Sequence, residues 1–142
     1  VQILIDGSNV LGRMRLDRES AESKRALVAA VASFCRKERS KAWCFFDGER
    51  PASFGTSLGI LQVLFSGQRD ADSMIVEKSL QLNGQVCCVT SDGGLAARIR
   101  SRRCEVKPAE WLIGSLTVER AESKVSEDDW ESYFSEDKNR NV

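Results

Sequence analysis

The sequence predicts an α/β fold built on a central, mainly parallel sheet of about five strands. Three observations carry this. Residues 1–5, 41–46 and 85–90 are nearly continuous apolar runs, the pattern of strands buried on both faces. Stretches of helical periodicity separate the runs, the alternation that marks βαβ units. Asp-Gly or Ser-Asp-Gly closes each of three runs, at what would be the carboxyl edge of the sheet, where open α/β proteins bind their ligands.

The elements follow in order. Val1 to Ile5 is the first strand, ended by Asp6-Gly7-Ser8-Asn9, with Gly7 allowing a close backbone turn. Residues 11–16 read as a loop that carries Arg13 and Arg15, with Arg18 close behind. A helix over 20–39 is predicted from Leu27, Ala30, Val31, Phe34 and Cys35, with Ser20 as N-cap and a basic final turn. Lys41 to Phe46 is the second strand and ends in Asp47-Gly48; residues 49–59 read as a loop. Ile60 to Phe65 is the third strand. A helix from Asp70 to about Asn83 places Ala71, Ile75, Ser79 and Leu82 on one face and Asp72 near its start, with Asn83-Gly84 as the stop. Gln85 to Thr90 is the fourth strand, followed by Ser91-Asp92-Gly93-Gly94. A helix over 95–103 carries Arg98, Arg100, Arg102 and Arg103, and a brief fifth strand covers 104–106. Pro108 opens a last helix with Trp111, Leu112 and Leu116.

The length of 142 residues suits one domain, set at 1–116, followed by an acidic tail over 117–142. The tail is Ser-rich and poor in aliphatics, and one short amphipathic helix is expected around Trp130, Tyr133 and Phe134. The net charge of zero hides an asymmetry: 17 Lys+Arg face 13 Asp+Glu up to residue 116, but 4 face 8 beyond it. A basic body permits a polyanionic partner. No apolar run reaches the roughly 20 residues of a membrane span, so no membrane partner is expected. The chain has five Cys without a CxxC pair and no His, so structural zinc is not expected, and reduced thiols in a cytoplasmic setting are. Catalysis without His must come from carboxylates, Lys, Cys, hydroxyls or a metal.

Asp6, Asp47 and Asp92 end three strands at one predicted edge, and Asp70 and Asp72 open a helix at the same edge. Clustered carboxylates repel until a cation neutralises them, and hard divalent cations take oxygen ligands. The expectation is Mg²⁺ or Mn²⁺, as one or two ions, on Asp6, Asp72 and Asp92. Asp70 doubles as a helix N-cap and Asp47 as a turn residue. Asn9 is read as holding a water or a phosphate, Ser91 as bonding Asp92 or a metal-bound water. Other motifs fail on spacing: Val10 stands where an integrin-type DxSxS loop needs its last serine, and there is neither a Walker loop nor a GxGxxG.

The segments Ile3-Leu4-Ile5-Asp6-Gly7-Ser8-Asn9, Phe45-Phe46-Asp47-Gly48, Val63-Leu64-Phe65-Ser66-Gly67 with Ala71-Asp72-Ser73-Met74-Ile75, and Val89-Thr90-Ser91-Asp92 together resemble NYN domains, a branch of the PIN-like nucleases. Their order is most similar to that of the YacP-like bacterial ribonucleases, over about residues 2–116. The resemblance implies a three-layer α/β/α PIN-like fold and metal-dependent endoribonuclease activity. Onto this sequence it carries metal-site roles for Asp6, Asp72 and Asp92 and a supporting one for Asn9. Gly93-Gly94 departs from the bulkier family residue, and no further Asp closes the site after Asp92. RNA is the expected partner, free or on the ribosome, with Arg13, Arg15, Arg98 and Arg102 as candidates for its backbone. The alternatives are a non-cleaving RNA- or ribosome-binding module of the same fold and a small-molecule phosphohydrolase.

Overall fold

Strand β1 (Gln2–Asp6) runs through the middle of the sheet because its side chains have apolar partners on both faces. The computed structural model describes residues 1–101 and 103–123. Trp130, Tyr133, Phe134 and Arg102 lie outside them. On one side β1 pairs in parallel with β2 (Lys41–Phe46), and β2 with β4 (Leu61–Phe65). On the other it pairs in parallel with β5 (Val86–Val89), and β5 with β6 (Cys104–Lys107). A two-residue β3 (Ser57–Leu58) lies antiparallel on the edge of β4, giving the order β3-β4-β2-β1-β5-β6.

Successive residues alternate between two cores. Ile3, Ile5, Ala42, Cys44, Phe46, Leu61, Val63 and Val89 face a layer of α1 (Gly7–Arg13), α2 (Ala21–Glu38) and α5 (Ala109–Ser123). Leu4, Trp43, Phe45, Val86 and Cys88 face α3 (Ala71–Gln81) and α4 (Gly93–Ile99). The expected three layers are therefore present, and the continuous apolar runs are explained: both faces of each strand are covered. The thiols divide likewise. Cys35 and Cys44 sit in the first core and Cys88 and Cys104 in the second, while Cys87 packs half-buried against the first. All five are unpaired, and burial pushes Cys35 and Cys87 up to about 11, and Cys44 and Cys88 further.

The structure revises the sequence reading in four places. Residues 11–16 are not all loop: α1 follows β1 directly and runs to Arg13, burying Val10 and Leu11. Seven residues make fewer than two turns, too few for a helical period to register. The sheet has six strands rather than five, because a two-residue antiparallel pairing leaves no pattern of its own. The arginine-bearing helix starts two residues earlier than expected and stops at Ile99; Leu95 and Ile99, one turn apart, are its only fully buried pair. Helix α5 continues past residue 116 to Ser123. Among the described residues, no helix is long and apolar enough to cross a membrane.

From β1 the chain proceeds to β2 on one side, and from β5 to β6 on the other. The carboxyl ends of β1 and β5 thus flank the switch point of the sheet, the position where such folds open a crevice.

Candidate active site

Asp6 stands at that crevice. It ends β1 and caps the N-terminus of α1, and the chain can turn there because residue 7 is glycine: a Cβ would lie 2.6 Å from the Phe46 ring and 2.8 Å from the Phe45 carbonyl oxygen. Asp6 is 4% exposed. The Asn9 backbone N–H donates to its Oδ1 at 3.4 Å and the Thr90 hydroxyl to its Oδ2 at 2.9 Å. Burial raises its carboxyl to about 6; the two hydrogen bonds oppose the rise, and the neighbouring Asp72 and Asp47 carboxylates add to it.

Three of the other four acids stand at helix N-termini, and Asp47 reaches one from the end of β2. Asp70 caps α3, accepting the Ser73 N–H at 2.7 Å, and that bond lowers its pKa. Asp47, from the end of β2, accepts the Ala71 N–H at 2.9 Å, while its own N–H donates to Ser8 Oγ at 3.0 Å. Asp92 caps α4 by accepting the N–H groups of Gly94 (2.8 Å) and Leu95 (3.3 Å), and its own N–H donates to Thr90 Oγ1 at 3.0 Å. Asp72 lies in the first turn of α3, and its carboxylate makes no hydrogen bond among the described residues. Partial burial raises its pKa, the Asp92, Asp70 and Asp47 carboxylates raise it further, and Arg98 opposes them. The positive ends of α1, α3 and α4 offset part of the repulsion between these groups.

Together Asp6, Ser8, Asn9, Arg18, Asp47, Asp70, Asp72 and Asp92 line one cavity of about 350 Å³. All five acids singled out from the sequence therefore share one volume. Among the described residues, however, no three His, Cys, Asp or Glu side chains close on a single point. The donor set is all oxygen, and this spread suits an ion that keeps most of its waters and takes one or two carboxylates, as Mg²⁺ does, rather than a closed protein cage.

Three of the other expected residues, Asn9, Ser91 and Arg13, bond within the chain. Asn9 Oδ1 accepts the Ser91 N–H at 2.8 Å, tying α1 to the chain leaving β5. Ser91 does not bond the Asp92 side chain: its hydroxyl donates to Glu110 Oε1 at 3.0 Å and accepts the Ala109 N–H at 2.8 Å, fixing the start of α5. Arg13 pairs with Glu110, Nη2 to Oε2 at 2.5 Å, and is not among the residues lining the cavity. Arg15 is exposed at φ 64° on the turn after α1. Arg98 is exposed on α4, near enough for its charge to act on Asp70 and Asp72. Arg103 lies beyond α4 and seats the end of α3, donating to the carbonyls of Leu82 and Gly84 at 2.9 Å and of Ser79 at 3.3 Å. Three site residues escaped the sequence reading. Ser8 and Thr90 were visible within the motifs that carry Asp6 and Asp92. Arg18 gave no signal beyond its place in a basic loop.

This three-layer chain, with its acid-lined cleft at the switch point of a mainly parallel sheet, is an NYN domain, a nuclease-type fold. The family model of the YacP-like NYN domain matches residues 3–141, and the chain belongs to that family; the match runs on through the acidic segment beyond residue 116. Two solved structures are similar. The crystal structure of Rae1 (YacP) from Bacillus subtilis superposes with a TM-score of 0.70 at 20% identity, over 87% of this chain and 78% of that one. Its W164L mutant gives 0.69 at 22%, over 88% and 86%. At these identities the likeness is one of fold. No curated protein matches the chain.

Proposed function

We propose that this chain is an endoribonuclease dependent on Mg²⁺ or Mn²⁺, hydrolysing phosphodiester bonds of single-stranded or structured RNA. The observation that carries the reading is the shared cavity: five carboxylates from three strand ends and one helix start line a single volume at the switch point. Asp6, Asp72 and Asp92 are the residues we assign to the metal, with one or two ions held, each by one or two of these carboxylates directly and by the rest through its waters. When bound, such an ion supplies charge stabilisation at a phosphate and a water of lowered pKa.

The chain's own residues prepare that site. Thr90 links the two assigned acids at the switch point, donating to Asp6 and accepting from the N–H of Asp92. Asp47 and Asp70 hold the N-terminus of α3 and so place Asp72. Asn9 and Ser91 hold β5 against α1 and α5. Arg98, exposed on α4 with its charge acting on Asp70 and Asp72, is a candidate for contact with a strand's backbone.

The test is cleavage of mixed cellular RNA with Mg²⁺ or Mn²⁺ present or chelated. Asp6→Asn and Asp92→Asn should each abolish cleavage, and the second keeps the α4 cap because Asn caps as well as Asp. Cleavage at the wild-type rate by either variant, with metal saturating, would remove that residue from the site.

A further inference from the structure

We propose that Arg18 grips a phosphate of the RNA strand inside the acid cleft and that Gly12 is the residue that admits it there. The proposal rests on the nuclease reading above. Arg18 lines the same cavity as Asp6, Asp47, Asp70, Asp72 and Asp92, yet among the described residues its side chain makes no hydrogen bond or ion pair. This sets it apart from its neighbour Arg13, which is paired to Glu110, and from Arg103, which is spent on three carbonyls. A guanidinium on the wall of an acid-lined cavity with its donors unspent is suited to a third party that brings paired acceptor oxygens, and a phosphodiester does. A strand entering a cleft of five carboxylates is repelled, and a fixed positive charge on the wall lowers that barrier.

Gly12 sets the place of the guanidinium. A Cβ at Gly12 would stand 2.6 Å from Arg18 Nε and 2.8 Å from its Cζ, closer than real Cβ contacts come. The guanidinium therefore lies against bare backbone in α1. Glycine inside a helix is about 1 kcal/mol less favourable than alanine, so α1 gives up local stability at this position. Alanine would push aside only the far end of a flexible side chain and leave the charge in the molecule.

Three variants test this: Arg18→Met, Arg18→Lys and Gly12→Ala. Their kcat/KM is measured on a single-stranded fluorogenic RNA with metal saturating, and their melting is followed. The salt dependence of binding to the same oligonucleotide is measured with metal chelated. Loss of one charged hydrogen-bonded contact should lower kcat/KM about ten- to a hundredfold in Arg18→Met. Arg18→Lys should recover part of it. Gly12→Ala should lose activity with its charge intact and its melting temperature equal to or above wild type. The slope of log affinity against log salt should fall by about 0.7 in Arg18→Met, one phosphate contact on a single strand. Wild-type kcat/KM in Arg18→Met overturns the Arg18 assignment alone, and wild-type kcat/KM in Gly12→Ala overturns the role of Gly12. A wild-type protein that cleaves no RNA overturns the nuclease reading; Arg18 is then judged by the binding slope, and an unchanged slope overturns it too.

Discussion

The hydroxyl of Thr90 donates to Oδ2 of Asp6 at 2.9 Å across the junction of β1 and β5, and Thr90 Oγ1 in turn accepts the N–H of Asp92. One buried side chain thus bonds both acids that flank the switch point. Thr90→Val keeps the shape and removes both bonds. It should cost about 1.5–3 kcal/mol, the range for a hydrogen bond to a charged group, and Thr90→Ser should restore most of it. Urea unfolding at neutral pH checks this; a valine variant as stable as wild type would show that the bonds carry no net stability.

The raised pKa of Asp6 has a definite sign in stability. The folded protein keeps this proton up to about pH 6, whereas the unfolded chain releases it near 3.8. Between those values the folded state binds more protons, so metal-free stability should fall as pH rises through the window, by roughly 3 kcal/mol for this one group. Asp6→Asn should flatten that part of the profile and, with metal chelated, melt above wild type at pH 7 while failing to cleave RNA. A wild-type profile that rises from pH 4 to 7, with Asp6→Asn parallel to it, would contradict the burial argument.

Metal should reverse this penalty. An ion that binds the folded cleft alone stabilises it by about 2.7 kcal/mol at a hundred times its dissociation constant, on the order of 10 °C in melting temperature. Mg²⁺ or Mn²⁺ should therefore raise the wild-type melting temperature, and Asp6→Asn and Asp72→Asn should blunt the rise. Calorimetric melting with and without chelator decides it, and equal shifts in all three proteins would place binding elsewhere.

Lys24 offers a test away from the cleft. It is 5% exposed, with Nζ 5.9 Å from the centre of the Phe46 ring and 5.8 Å from that of Phe65, and no carboxylate pairs with it among the described residues. Its long stem fills space between α2 and the sheet. Lys24→Met should change stability by less than about 1 kcal/mol, whereas Lys24→Ala should cost about 2 kcal/mol. A large loss in the methionine variant would show that the charge over the rings outweighs the packing.

What could be read from the sequence was what depends on neighbours along the chain. Asp6, Asp72 and Asp92 stood out because a strand end and a helix start are local events, and the helix over 20–39 because its period spans five turns. Asp47 was only half legible. Its turn with Gly48 is local, but its bond to the Ala71 N–H crosses 24 residues. Arg18 was not legible as a site residue, since its position depends on the surface of α1 at Gly12. The bonds of Ser91 are not legible for the same reason: its hydroxyl serves α5, which begins 18 residues later. Helix α1 was missed because its evidence is the burial of two side chains rather than a repeat.

The division of thiols between the two cores gives the protein a built-in pair of reporters. Cys87 and Cys88 are neighbours in β5, yet Cys87 packs toward the layer of α1, α2 and α5 and Cys88 is buried beneath α3 and α4. A bulky thiol reagent reaches a buried sulfur only when the layer above it swings open. Labelling rates followed site by site therefore read the opening of each layer separately, without any introduced probe. If the α3–α4 layer tightens when the cleft is filled, Cys88 and Cys104 slow while Cys35 and Cys44 keep their pace, and the cleft's occupancy is read at thiols beneath the two helices whose starts carry Asp72 and Asp92.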